Sequence, residues 1–109
     1  MPEKNYRIYL DDENAIFVYV ETVSGEVTSF VIKLLILIEG VEYEVLRYDS
    51  GHDMSHIDIL DSEGETVQKI WLPYLDFGKA LTHAKKDIKL NYQFYRERFI
   101  QWKNEKKDS

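Results

Sequence analysis

The chain has 109 residues, 44% of them hydrophobic, with five glycines, two prolines and no cysteine. This excludes a disordered chain, and the missing thiols exclude disulfides and thiolate metal ligands. The net charge of −6 divides into +5 over residues 79–109 (nine Lys or Arg, four Asp or Glu) and −11 over residues 1–78, so the acidic body disfavours non-specific nucleic-acid binding except along the C-terminal segment.

The first residues, Met1-Pro2-Glu3-Lys4-Asn5, lack the basic and apolar regions of a signal peptide. The longest apolar run, residues 34–38, is far short of the roughly 20 residues of a membrane helix. A cytoplasmic protein of a prokaryote-like cell, forming one domain over residues 1–109, is expected.

Residues 6–10 read as a short edge strand. Residues 15–23 are rich in Val, Phe and Tyr and form the next. Ser24-Gly25 suits a two-residue turn into a long strand over 26–39. Phe30, Ile32, Leu34, Ile36 and Ile38 line one face of it, and Val31, Leu35 and Leu37 on the other suggest cover from both sides. Gly40 breaks the run. Val41, Tyr43 and Val45 then alternate with Glu42 and Glu44, a period that continues through Arg47 and Asp49. A turn at 50–53, a strand at 56–60, a turn at 61–64 and a strand over 66–72 follow. Pro73 ends the sheet because it cannot donate to a ladder.

Asp76 is the expected N-cap of a helix over 76–105. Ala80, Ala84, Ile88, Tyr92 or Asn91, Tyr95, Phe99 and Trp102 form one apolar stripe. Lys85, Lys86, Lys89, Arg96 and Lys103 are assigned to the other side. The fold class is α+β: an antiparallel meander of five or six strands followed by one long C-terminal helix. The doubly apolar segment and the aromatics Phe94, Phe99 and Trp102 exceed what one helix and one sheet cover, so a homodimer is expected.

Candidate chemistry concentrates in one segment: Arg47, Asp49, His52, Asp53, His56 and Asp58 fall within a hairpin. If Arg47 pairs opposite His56, then Arg47, Asp49, His56 and Asp58 share a face beside the turn carrying His52; a slip of one residue disperses them. Three functional readings follow. The two histidines can act as acid and base with Arg47 stabilising an anion. His52, His56 and either Asp49 or Asp58 can hold a divalent metal. Arg47 can lead an anion- or peptide-binding site. Against these stands a plain reading as surface ion pairs, each worth about 1 kcal/mol or less. Asp87, near the apolar stripe, reads first as an exposed helix acid beside Lys86; if semi-buried it would want Arg47 or a histidine as partner. His83 reads as a boundary histidine.

The string Arg47-Tyr48-Asp49-x-x-His52-x-x-x-His56-x-Asp58-x-Leu60, with Gly64, Leu72-Pro73 and Asp87-Ile88-x-x-Asn91-x-x-x-Tyr95-Arg96-x-Arg98-Phe99, resembles a family of short uncharacterised bacterial and archaeal proteins with a domain of unknown function. The resemblance spans roughly residues 41–100 and implies no activity. More distantly, the Arg-x-Asp followed by spaced histidines is similar to the TumE-like toxins of toxin–antitoxin pairs. That resemblance implies a site containing Arg47, Asp49 and His56. Asp58 stands where the toxins' His-x-His would place a second histidine, so His52 would have to supply it.

The leading expectation is a toxin-like, metal-independent nuclease or phosphodiesterase. His52 and His56 would be acid and base, Arg47 the anion stabiliser, and Asp49 and Asp58 the orienting groups. The alternatives are a non-enzymatic, antitoxin-like interaction or assembly module, and a metal-binding hydrolase with a divalent ion at His52, His56 and Asp58. A second copy, a protein partner or RNA are the expected partners, and a membrane is not.

Overall fold

A computed structural model describes residues 2–73 and 76–107, apart from the side chains of His52 and Lys107. Six strands follow one another: β1 (Glu3–Asp11), β2 (Asn14–Val23), β3 (Glu26–Ile38), β4 (Val41–Asp49), β5 (His56–Leu60) and β6 (Thr66–Trp71). They lie side by side in that order, each antiparallel to the next, and α1 (Phe77–Lys107) follows. The fold is the expected α+β meander with one long C-terminal helix. β1 is an edge strand, as expected, but it extends beyond residues 6–10 at both ends.

The hairpin turns explain the strict meander. Ser24 and Gly25 have φ of 52° and 80°, and Glu39 and Gly40 have 51° and 80°. Two consecutive positive φ values make the two-residue turn whose twist matches that of paired strands, and glycine carries the second position without strain. Between β5 and β6 the Asp61 carboxylate accepts the N–H groups of Glu63 (2.9 Å) and Glu65 (3.0 Å), closing the last hairpin.

The helix packs across the middle of the sheet. Ala80, Ala84, Ile88 and Phe99 are buried against Phe30, Ile32, Leu34, Ile36, Leu46 and Tyr48. The two alanines let the helix axis approach the sheet closely, and burying a side chain such as Phe99 contributes about 1.5–3 kcal/mol. Asp76 caps the helix as expected, its carboxylate accepting the Lys79 N–H at 2.8 Å. Arg96 departs from its assigned outer side. Its guanidinium donates to Asn14 Oδ1 and to the Leu37 carbonyl, both at 2.9 Å, and so ties α1 to the β2 and β3 ends. Of the aromatics expected to exceed the sheet's cover, Phe94 is 58% exposed, while Phe99 is fully covered within the monomer. Leu35 is also 8% exposed without a partner chain, so it needs no second subunit to cover it.

One irregularity decides which residues reach which face. Leu34 pairs with Leu46, but Leu35 pairs with Glu44, so Val45 is an extra residue in β4. Such a bulge interrupts the two-residue period. Val45 and Leu46 are both buried in the core beneath the helix. The alternation through Val41, Tyr43 and Val45 therefore does not continue through Arg47 and Asp49. Leu46 and Tyr48 take the helix side, and Arg47 and Asp49 turn to the opposite face with Glu44.

Candidate functional site

The β4–β5 ladder sets Arg47 opposite Asp58 and Asp49 opposite His56. The expected pairing of Arg47 with His56 is off by two residues. A two-residue shift preserves facing, so the four side chains still share one face. Neighbouring strands complete it: Lys33 lies opposite Arg47, Lys69 opposite Asp58 and Trp71 opposite His56.

His56 is the centre of the cluster and is 2% exposed. Its Nδ1 lies 3.1 Å from the Met54 carbonyl, which only accepts, so Nδ1 carries a hydrogen. Its Nε2 points between two carboxylates, 3.1 Å from Asp49 Oδ1 and 3.4 Å from Asp58 Oδ2. Trp71 lies beside the imidazole, its ring centroid 5.1 Å away. Asp58 is 3% exposed. Among the described residues its Oδ1 is buried and accepts no hydrogen bond, and Lys69 Nζ stands 3.6 Å from it as an ion pair.

The loop after β4 fixes Asp49. A single turn of 3₁₀ helix, Gly51–Asp53, brings the Gly51 N–H to 2.8 Å from Asp49 Oδ1. A Cβ at Gly51 would meet that oxygen at 3.0 Å and His56 Cε1 at 3.6 Å, so glycine permits the approach. Ser50 anchors the turn to β3, its Oγ accepting the Phe30 N–H at 2.9 Å.

Arg47 bridges three carboxylates: Nε to Asp49 Oδ2 at 3.2 Å, Nη1 to Glu44 Oε2 at 3.2 Å, and Nη2 to Asp58 Oδ2 at 3.4 Å. Lys33 pairs with Glu44 Oε1 at 3.0 Å. Three carboxylates thus face three cations around a histidine; the Arg47–Asp49 and His56–Asp58 pairs of the plain reading are both present, with His56 and Asp58 buried.

The structure brings together Arg47, Asp49, His56 and Asp58. The side chain of His52 lies outside the described residues, so neither the two-histidine pair nor a ligand set containing His52 has a geometry. The three groups that converge are instead Asp49, His56 and Asp58, whose ligand atoms all lie within 4.8 Å of one another. Glu44, Lys33, Lys69 and Trp71 join the cluster without having been singled out. Unbroken alternation hides Glu44, because the bulge turns Arg47 to its side, and the other three emerge only once strand pairing is known.

Asp87 does not belong to this cluster. It lies on the helix side, where Tyr48 donates to Oδ2 at 2.6 Å, Tyr95 to Oδ1 at 2.8 Å and Asn91 to Oδ1 at 2.8 Å. Its partners are two tyrosines and an asparagine, not Arg47 or a histidine. Burial first, then the hydrogen bond to Asp87, pushes the Tyr48 and Tyr95 hydroxyls well above the ordinary tyrosine range. His83 is exposed, its ring 6.1 Å from Tyr48.

Fold and cluster together define a small α+β protein whose sheet carries an Asp–His–Asp group, its His56 and Asp58 buried, on the face away from its helix. The sequence profile of a domain of unknown function (DUF7718) matches residues 1–105, and the chain belongs to that family. The match includes the N-terminal strands, beyond the span of the motif resemblance. No curated protein and no solved structure matches the chain. Among the described residues, no helix is long and apolar enough to cross a membrane.

Proposed function

We propose that Asp49, His56 and Asp58 form a divalent-metal site and that the protein is a metal-dependent phosphodiester hydrolase of the cytoplasm. One observation carries this reading: His56 Nε2 is aimed at two carboxylate oxygens, 3.1 and 3.4 Å away, while Nδ1 is committed to a backbone carbonyl. Ligand atoms about 2.1 Å from one ion stand about 3.0–3.4 Å apart, so these separations suit a shared ion. A histidine that ligates through one nitrogen while donating from the other to a carbonyl is the usual metal-site arrangement. Nitrogen with carboxylate oxygens favours Zn²⁺, Mn²⁺, Fe²⁺ or Co²⁺ over the softer thiolate-seeking ions.

The metal-independent alternative fits less well. General acid–base catalysis needs an imidazole within reach of its substrate, and His56 is 2% exposed with both nitrogens engaged. The toxin-like reading shares Arg47, Asp49 and His56, and its departure at Asp58 puts a carboxylate where a metal can use one. A bound ion would supply Lewis-acid charge beside a phosphodiester as water adds across the P–O bond.

Purified protein incubated with single-stranded RNA in Mn²⁺ or Co²⁺, and in chelator, tests this. Cleavage should require the metal and should be lost in His56→Ala and Asp58→Asn. Equal cleavage by wild type and His56→Ala, or cleavage undiminished by chelator, would overturn it.

A second reading, a homodimeric or protein-binding module, is favoured by the outer helix face. Leu90 and Phe94 are 72% and 58% exposed, and the Arg98 guanidinium lies over Phe94, Tyr95 and Trp102. Sedimentation of wild type against Leu90→Ser/Phe94→Ser tests it. A dimer lost in the double variant supports this reading, and a wild-type monomer with no bound protein contradicts it.

A further inference from the structure

We propose that Arg47 is the resident counter-cation of this site, and that metal loading turns its guanidinium outward to bind a phosphodiester anion. This deepens the metal reading and rests on it. Glu44, Asp49 and Asp58 are matched one for one by Lys33, Arg47 and Lys69. The carboxylates are therefore already neutralised, and a divalent ion added to this arrangement would leave two uncompensated positive charges in a partly buried cluster. Either the ion is rejected or a resident cation leaves.

Geometry selects Arg47. Its Nη2 contacts Asp58 Oδ2, the same oxygen that His56 Nε2 approaches, so guanidinium and metal compete for one atom. Lys69 instead faces the other oxygen, Asp58 Oδ1. Arg47 also has somewhere to go. Its side chain is 31% exposed, and its Nη1 contact with Glu44, itself 24% exposed, lies on the far side from His56. Releasing Asp49 and Asp58 while keeping Glu44 swings the fork toward solvent. There it presents a planar pair of donors, the geometry that suits a phosphate group, next to the ion. Metal and anion then assist each other, because each favours the outward position of Arg47. Such coupling is reciprocal: an anion must tighten metal binding as much as the metal tightens anion binding.

The test measures Co²⁺ affinity by calorimetry, with and without dimethyl phosphate, a phosphodiester monoanion. Wild type, Arg47→Gln and His56→Ala are compared, each checked for folding by circular dichroism. Arg47→Gln should bind Co²⁺ about tenfold more tightly than wild type, since the competing charge is gone. Dimethyl phosphate should tighten Co²⁺ binding at least about threefold in wild type and not at all in Arg47→Gln. Arg47→Lys, which keeps the charge but lacks the planar fork of donors, should fall between the two, and it serves if Arg47→Gln does not fold. Co²⁺ affinity unchanged or weakened in both Arg47 variants, or equal tightening by dimethyl phosphate in all proteins, would overturn the proposal while leaving the metal site standing. Binding retained in His56→Ala, or absent from wild type and both Arg47 variants, would overturn the metal site itself.

Discussion

Asp49 stands directly opposite His56 in the β4–β5 ladder, and its Oδ1 lies 3.1 Å from the imidazole Nε2. That oxygen is fixed from behind by the Gly51 N–H at 2.8 Å, so carboxylate, histidine and loop act as one unit. Gly51→Ala tests this coupling. The added methyl would sit 3.0 Å from Asp49 Oδ1, and the carboxylate must give by a few tenths of an ångström. The fold should survive with a loss below about 1 kcal/mol, since no unusual backbone angle is required at Gly51. Co²⁺ affinity should fall severalfold, and calorimetry beside a thermal melt separates the two effects.

Asp58 is held on one side by Arg47 and on the other by Lys69. Asp58→Ala removes their shared partner from a nearly closed environment and should destabilise the protein by about 2 kcal/mol, read from urea unfolding. Because the lost stability is electrostatic and the site is partly buried, 1 M salt should recover little of it. Exposed ion pairs would lose most of their worth in the same salt, so a small difference between wild type and Asp58→Ala that disappears in 1 M salt would contradict the burial of this cluster.

The tyrosine–carboxylate group on the helix side makes a prediction about pH. Burial and Asp87 raise the Tyr48 hydroxyl above its ordinary value of 10.0 in the folded state. A raised folded value means that the native state keeps its proton after the unfolded chain has lost its own. The stabilising contribution is therefore complete below about pH 10 and declines as pH rises toward the folded value. Tyr48→Phe should reduce the slope of stability against pH above pH 10 by as much as about 1.4 kcal/mol per pH unit. At pH 7 the same substitution should cost about 1–2 kcal/mol, because Asp87 loses one of its donors. Since Tyr48 faces away from the cluster, its Co²⁺ affinity should equal that of wild type.

Much of the fold is legible in the sequence. Hydrophobic period, the Ser24-Gly25 turn and the break at Gly40 set strand order, although the long strand ends at Ile38 and Glu39 belongs to the turn. Asp76 marked the helix start by its chemistry. The bulge at Val45 was not legible: a Val-Leu pair in a strand looks like ordinary alternation, and only pairing of Leu35 with Glu44 shows the extra residue. The candidate site was found for a partly different reason from the one that assembles it. Arg47, Asp49, His56 and Asp58 share a face under either even-numbered register, so an error of two residues did no harm. Arg96 and Asp87 were misread because helix periodicity places residues around an axis but cannot say which flank meets a strand end or a buried tyrosine.

The bulge carries a prediction of its own. Deleting Val45, the extra residue, would join Glu44 to Leu46 in unbroken alternation and leave Leu46 and Tyr48 on the helix side and Arg47 and Asp49 on the face of Glu44. The deletion variant should therefore fold, with a loss of about 1–3 kcal/mol for the missing buried side chain, close to that of Val45→Ala. Circular dichroism and urea unfolding of the two variants decide this, and a deletion variant that fails to fold while Val45→Ala folds would contradict the assigned facing.

Calorimetric titration of Co²⁺ into wild type and His56→Ala decides whether the cluster is a metal site. One ion should bind per chain in wild type, with binding lost in a His56→Ala protein that remains folded. Absence of binding in wild type and in Arg47→Gln, or an equal affinity in His56→Ala, would contradict the site.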